Sequence, residues 1–469
     1  MHIRSTLSAL CVLATAAPLA PAATASSLDP LSSVAAVGSS AIKSAFRPAP
    51  KVVRYETTTE SGALAPVTAT LYDRANAKGL VVIAPGTRGM ADHCAPSNNT
   101  ALLSSDTGVS LSIDYERPMA HMLVDAGYRV IVTDYVGLGT PGTHTYLNRV
   151  DQGHAVIDAA RFAAHDGEKV AFWGYSQGGG ASAAAAELVA DYAPELNVVA
   201  AFVGAPPADP LAVLEQSRGP LISPVAGFAA VSYSSTYPDF REALYAELNE
   251  KGVATLDALS KACLLDAMRI APKEFKAYTK RGVNLAELAH DNPVLRARLD
   301  QNKLGRVPTK VPTLVLTNPD DDMVPARQAT QLARDYCALG SPVEYRSVGI
   351  PGTRSMPLAS GSSTTPFANL VGAGHALPIV LETSNVITWL DERFDPNGPV
   401  FTPTCNIPGD TSINVAANYQ YTGAIADAVL VGIVSVLAAV GLGTWLVGSG
   451  LPNLALVWSQ IAKPAHQIP

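Results

Sequence analysis

KVAFWGYSQGGGASAAAAELVADY, residues Lys169–Tyr192, runs from an apolar segment into a small-residue helical pattern through Gly174-Tyr175-Ser176-Gln177-Gly178. VAFWG has the length and the aromatic and β-branched content of a buried strand. The following GGASAAAAELVADY opens a helix whose first residues are all small, so it can pack close to neighbouring strands. A sharp turn between the two raises the Ser176 hydroxyl above the sheet, and the glycines two places to either side give the backbone room for it. The helix dipole then favours negative charge near that N-terminus. In a chain with 36 glycines the Gly-x-Ser-x-Gly pattern alone is weak. Its setting carries the weight.

GLVVIAPGTRG, YRVIVTDYVGLG and NVVAAFVGAPPADP repeat the shape of an apolar run ending in Gly or Pro, as buried parallel strands do. YERPMAHMLVDAG and VDQGHAVIDAARFAAHDG between them read as helices. This alternation predicts an α/β fold with a mostly parallel sheet. After Pro207 the pattern turns helical for about a hundred residues. PDFREALYAELNEKG places Phe240, Leu244 and Leu248 on one face and stops at Gly252. TLDALSKACLLDAMRIAP aligns Leu256, Leu259, Cys263 and Leu264 and stops before Pro272. The strand signal returns at KVPTLVLTNPDDDMVP. The expected organisation is therefore a core of residues 26–207 and 306–408 with a helical insertion at 208–305. Such an insertion reads as a cap or lid over a site, or else as a purely structural addition.

A nucleophilic serine needs a histidine base, and the histidine needs an acid that holds its tautomer. In strand-turn-helix hydrolases the chain order is Ser, then acid, then His. Of nine histidines, His290, His375 and His466 follow Ser176. His290 falls in the helical insertion and His466 in the tail, whereas His375 sits in VGAGHALP, read as a Gly-rich loop able to carry a ring to the serine. The acid belongs at the end of the strand VPTLVLTNP, where Asp320, Asp321 and Asp322 stand in a row. Asp321 is the first choice and Asp320 the second. Oxyanion donors are expected at the backbone N–H of Gln177 and, in the loop after VVIAPG, of Thr87, with Arg88 as its rival.

Net charge is −7 with a pI near 5.7 and no long basic run, which sets nucleic-acid partners aside. Only 16% of residues are charged and the mean hydropathy is +0.17, which points to apolar segments at the ends. At the N-terminus Arg4, an apolar stretch from Leu7 to Leu19, and Ala23-Thr24-Ala25 read as a signal peptide over residues 1–25. Export makes disulfides the expectation for Cys94, Cys263, Cys337 and Cys405, with three connectivities open. No Cys-x-x-Cys or His-Glu-x-x-His spacing supports a metal site, and the expected chemistry needs no cofactor. The tail, residues 409–469, carries 21 uncharged residues at 428–448, about 31 Å as a helix. That length suits a transmembrane anchor to the membrane or cell envelope, or a buried or self-associating apolar hairpin.

GYSQGG at 174–179, DHCAPS at 92–97, DYVGLGTPGTHTYL at 134–147, GAPPADP at 204–210, DDMVP at 321–325 and GAGHA at 372–376 together resemble the secretory lipase family of the α/β-hydrolase superfamily. The resemblance runs through most of residues 50–408 and leaves the tail outside. It implies an α/β-hydrolase fold with a helical lid and hydrolysis of triacylglycerol or other esters, with a lipid or ester as the partner. In that family the acid precedes x-x-Val-Pro, which is Asp321 here. The resemblance also implies a disulfide joining Cys94 to Cys263, which leaves Cys337 for Cys405. The expected function is that of an exported lipase or esterase. An acyltransferase, a capped peptidase and a non-catalytic envelope protein on the same scaffold are the alternatives.

Overall fold

The computed structural model describes residues 47–99, 103–106, 110–216, 222–349, 373–405 and 407. The segment read as a signal peptide and the tail with its apolar stretch 428–448 lie outside them.

The strands are β1 (Lys51–Thr58), β2 (Leu64–Tyr72), β3 (Leu80–Ala84), β4 (Leu103–Asp106), β5 (Ser110–Ile113), β6 (Arg129–Thr133), β7 (Lys169–Tyr175), β8 (Asn197–Gly204), β9 (Thr313–Thr317) and β10 (Val343–Ser347). Eight of them form one sheet in the order β1-β2-β6-β3-β7-β8-β9-β10, while β4 and β5 make a separate hairpin. From β6 to β10 every neighbouring pair is parallel, and β2 runs antiparallel to both β1 and β6. β3, β6 and β9 are buried at every residue, which is why they read as unbroken apolar runs.

Alternate side chains of these strands point to opposite faces. Val81, Ile83, Val130, Val132 and Trp173 pack under α1 (Glu116–Asp125). Leu80, Val82, Ile131, Val170 and Phe172 face α2 (Arg149–Ala163) and α3 (Gln177–Tyr192). The small residues Ala181 and Ala185 let α3 sit close to that face.

Between β8 and β9 the described chain is helical: α4 (Pro210–Gln216), α5 (Ile222–Thr236), α6 (Pro238–Glu247), α7 (Glu250–Leu259), α8 (Leu264–Ile270), α9 (Leu285–Asp291) and α10 (Pro293–Gln301). These helices enclose a core of their own around Phe228, Phe240, Leu244, Leu256, Leu259 and Leu288. Two boundaries differ from the sequence reading. Gly252 is not a stop. It lies inside α7, where Asn249 Oδ1 caps its N–H at 2.9 Å and where a Cβ would stand 2.1 Å from Tyr278 O. The continuous face through Leu256, Leu259, Cys263 and Leu264 is also broken, because Cys263 pairs with Gly89 in an isolated bridge and caps α8. A long-range contact overrides local helical periodicity there.

The chain returns through β9, α11 (Arg327–Ala338) and β10, and α12 (Ala373–Phe394) closes the α1 side of the sheet with Val386, Trp389, Leu390 and Phe394. Cys94 is bonded to Cys263 and Cys337 to Cys405. The first bridge spans 169 residues, so it removes much freedom from the unfolded chain. Replacing Cys94 and Cys263 together by Ala is expected to cost about 2–5 kcal/mol in urea unfolding. An unchanged unfolding midpoint would show that the bridge contributes nothing to stability.

Candidate active site

Ser176 is the residue between β7 and α3, at φ 59° and ψ −126°, a backbone state that costs a non-glycine residue about 1–3 kcal/mol. Its N–H donates to Gly204 O at 2.9 Å, tying the turn to the end of β8. The flanking glycines are required by close approach. A Cβ on Gly178 would lie 1.9 Å from Ala84 O, and one on Gly174 would lie 1.9 Å from Gly178 O. The elbow is pressed against the end of β3, and Ser176 itself stays partly exposed.

Asp321 and His375 meet. Asp321 Oδ2 is 2.8 Å from His375 Nδ1, and Asp321 Oδ1 accepts the N–H groups of Met323 and Val324 at 2.9 and 2.8 Å. The Asp321 side chain is fully buried. Asp322 Oδ1 accepts the His375 backbone N–H at 3.1 Å instead, and Asp320 donates its own N–H to Asn318 Oδ1. Of the three carboxylates, Asp321 is the one on the imidazole. Burial pushes the His375 pKa down, but the Asp321 charge, the Asp321 hydrogen bond and the Asp322 charge outweigh it, leaving the pKa above its ordinary value of 6.5.

His375 is not in a loop as the sequence suggested. It is the third residue of α12, which packs along the sheet. Pro378 lies inside this helix and has no N–H for the Gly374 carbonyl, which accepts from Asn318 Nδ2 at 2.8 Å instead. Tyr175, the neighbour of Ser176, donates its hydroxyl to His375 O at 2.8 Å, and the two rings lie 5.4 Å apart. Through Tyr175 the elbow and the Asp321–His375 pair share one site. Among the described residues no hydrogen bond joins Ser176 Oγ to His375.

Gln177 is the first residue of α3, so its N–H has no acceptor within the helix. Thr87 and Arg88 lie in the loop after β3, and this loop is held from three sides. Glu116 Oε1 accepts the Gly86 N–H at 2.7 Å, and Tyr115 donates its hydroxyl to Thr87 O at 3.2 Å. Arg88 Nη2 reaches Asp114 and Glu116, each at 2.5 Å, in a buried cluster where burial lifts Glu116 to about 7 even with Arg88 beside it. The third side is the helical insertion: Leu264 N–H donates to Arg88 O at 2.8 Å and Met90 N–H to Ala262 O at 2.9 Å, next to the Cys94–Cys263 bridge. Asp114, Tyr115 and Glu116 escaped sequence reasoning. Their only local signal is two acids flanking a tyrosine where a helix begins.

The strand order, the strained serine between strand and helix, and an acid and a histidine arriving in that chain order define a protein of α/β-hydrolase fold. The chain belongs to the secretory lipase family, whose profile matches residues 103–401. It is 27% identical over 320 residues to Lipase 10 of Candida albicans, covering 64% of this chain and 62% of that protein. It is 28% identical over 303 residues to the secreted triacylglycerol lipase LIP4 of Malassezia globosa, covering 62% of this chain and 64% of that one. It therefore spans less than two thirds of the length of either. The structure of Candida antarctica lipase A in its closed state superposes with a TM-score of 0.58 at 21% identity, over 81% of this chain and 85% of that one, a likeness of fold.

Proposed function

We propose that this chain is an exported serine hydrolase that cleaves carboxylic esters, triacylglycerol among them. Ser176 Oγ adds to the ester carbonyl carbon while His375 Nε2 takes its proton, and Asp321 holds the Nδ1–H tautomer and stabilises the imidazolium. The N–H groups of Gln177 and Thr87 hold the oxyanion. The tetrahedral species collapses as His375 returns the proton to the leaving alcohol. Water, deprotonated by the same histidine, then adds to the acyl-enzyme, and His375 returns that proton to Ser176 Oγ as the acyl–oxygen bond breaks and the acid leaves. The observation that carries the reading is the buried 2.8 Å contact between Asp321 and His375, held beside the Ser176 elbow by Tyr175.

Residues 208–305 form the cap in this reading, and the likeness to a secreted triacylglycerol lipase supports acceptance of long acyl chains. The test is hydrolysis of nitrophenyl esters from about two to sixteen acyl carbons, the span of common acyl chains, and of emulsified triacylglycerol. Turnover that extends to the long chains and the emulsion supports a lipase. Confinement to acetyl esters contradicts the lipid assignment, and a chain inert on every ester contradicts the hydrolase assignment.

His375 works as a base only when neutral, and its pKa in the folded protein lies above 6.5. Activity is therefore lost as pH falls through that raised value and is complete above it. The acid limb of kcat/KM is expected at a midpoint above 6.5. A midpoint below that would contradict the charge placement at Asp321.

Export follows the family and the N-terminal segment. Attachment to the cell envelope through residues 428–448 rests on their composition alone. Among the described residues no helix is long and apolar enough to cross a membrane. A chain truncated after Gly409 is expected in the soluble fraction while the full chain stays with membranes. Equal solubility of the two would remove the anchor.

A further inference from the structure

Two buried side chains of the segment Tyr135–Leu147 touch the side chains of the proposed oxyanion donors, Tyr146 at Thr87 and His144 at Gln177, and a third, Tyr135, holds Pro85 just before Thr87. Tyr135 donates its hydroxyl to Pro85 O at 2.8 Å, two residues before Thr87. Tyr146 Oη shares a 2.8 Å hydrogen bond with Thr87 Oγ1. His144 Nε2 lies 3.1 Å from Gln177 Nε2, and His144 Nδ1 lies 3.1 Å from Val136 O. A carbonyl only accepts, so Nδ1 carries the proton and Nε2 is the acceptor for the Gln177 amide. The His144 ring lies between the other two, 5.8 Å from Tyr135 in a stacked arrangement and 5.9 Å from Tyr146 edge-on. Tyr135 and Leu147, at the two ends of the segment, both have left-handed backbone, with φ of 69° and 57°. Such strain persists where the surroundings impose it.

We propose that His144 is a positioning residue for the oxyanion donors: it fixes Gln177 at the N-terminus of α3 and, wedged between Tyr135 and Tyr146, sets the spacing to the Thr87 loop. This rests on the hydrolase reading above. A buried histidine needs a partner at each nitrogen, and the second nitrogen here takes its partner from the residue directly after the elbow serine. Burial pushes the His144 pKa down to about 4, so the ring stays a neutral acceptor through the working range. A donor N–H must stand within a few tenths of an ångström of the developing oxyanion to help, and a shifted donor loses transition-state stabilisation more than substrate binding.

The test uses His144→Phe, His144→Gln, Gln177→Met and the His144→Phe/Gln177→Met double variant in the full mature chain, with nitrophenyl ester kinetics and thermal melts. Deleting an oxyanion donor outright costs about 10²- to 10³-fold in kcat, so misplacing one is expected to cost about 10- to 100-fold. His144→Phe and Gln177→Met should each lose that much kcat with KM changed less than about 3-fold. Their double variant should be no worse than the poorer single, because both remove the same bond. His144→Gln, whose amide oxygen reaches the place of Nε2, should recover to within about 3-fold of the parent. The proposal is overturned by additive losses in the double variant, by a His144→Gln variant as poor as His144→Phe, or by kcat within about 2-fold of the parent in Gln177→Met. Should His144→Phe fail to fold, Gln177→Met and His144→Gln still decide it, since both leave a polar or native group at position 144. An active parent with insensitive variants overturns this inference alone, whereas an inert parent overturns the hydrolase reading and this inference with it.

Discussion

Ser176→Ala is expected to lower kcat for ester hydrolysis roughly 10⁴- to 10⁶-fold while leaving the melting temperature within about 2 °C of the parent. The loss is large because without Oγ there is no acyl-enzyme, and only the oxyanion donors and substrate binding act on attack by water. The stability is spared for local reasons. Ser176 keeps its fold through its backbone N–H on Gly204 O and through glycines that fit against Ala84 and Gly178, none of which uses the hydroxyl. Alanine inherits the same left-handed backbone and the same strain. A variant that retains more than about a tenth of parental kcat would remove Ser176 from the reaction.

Asp321→Asn carries the second large effect, a loss of roughly 10⁴-fold in kcat. The amide can present its oxygen to His375 only by turning its NH₂ toward the N–H groups of Met323 and Val324, which already donate to Oδ1. In the opposite orientation the NH₂ faces Nδ1 and forces the wrong tautomer. The second orientation leaves every buried partner matched, so the loss falls on kcat through the tautomer, with a stability change of no more than about 1 kcal/mol. Asp320→Asn is the control. Its carboxylate is not the one on His375, and a loss below about 10-fold is expected. Assays of both variants side by side decide between the two aspartates, and a larger loss in Asp320→Asn would reverse the assignment.

Much of this arrangement was legible along the chain, for reasons that can be stated residue by residue. Ser176 stood out because a buried strand, two glycines and a run of alanines serve one turn. The central strands β3, β6, β7, β8 and β9 showed as apolar runs because both faces are covered. Asp321 came from its place after β9 together with the family resemblance at DDMVP, since three aspartates stand there in a row, and His375 followed from chain order. Its helical setting was hidden because Gly372, Gly374 and Pro378 read as a loop, whereas the lost helix bond at Pro378 is compensated by Asn318, far away in sequence. The split between α7 and α8 was hidden for a similar reason, since Cys263 answers to Gly89 rather than to its helical neighbours. The groups that hold the loop after β3 were not legible at all. Glu116 meets Gly86 across 30 residues and Gln177 meets His144 across 33, and no local pattern announces either pairing.

A covalent intermediate on the Ser176 hydroxyl can be trapped. The most direct measurement is treatment of the mature protein with a fluorophosphonate, followed by intact mass and peptide mapping. Ser176 Oγ displaces fluoride and keeps the phosphonyl group, so a single adduct is expected on the peptide containing Ser176, absent from Ser176→Ala and strongly slowed in Asp321→Asn. No adduct, or an adduct on another residue, would contradict it.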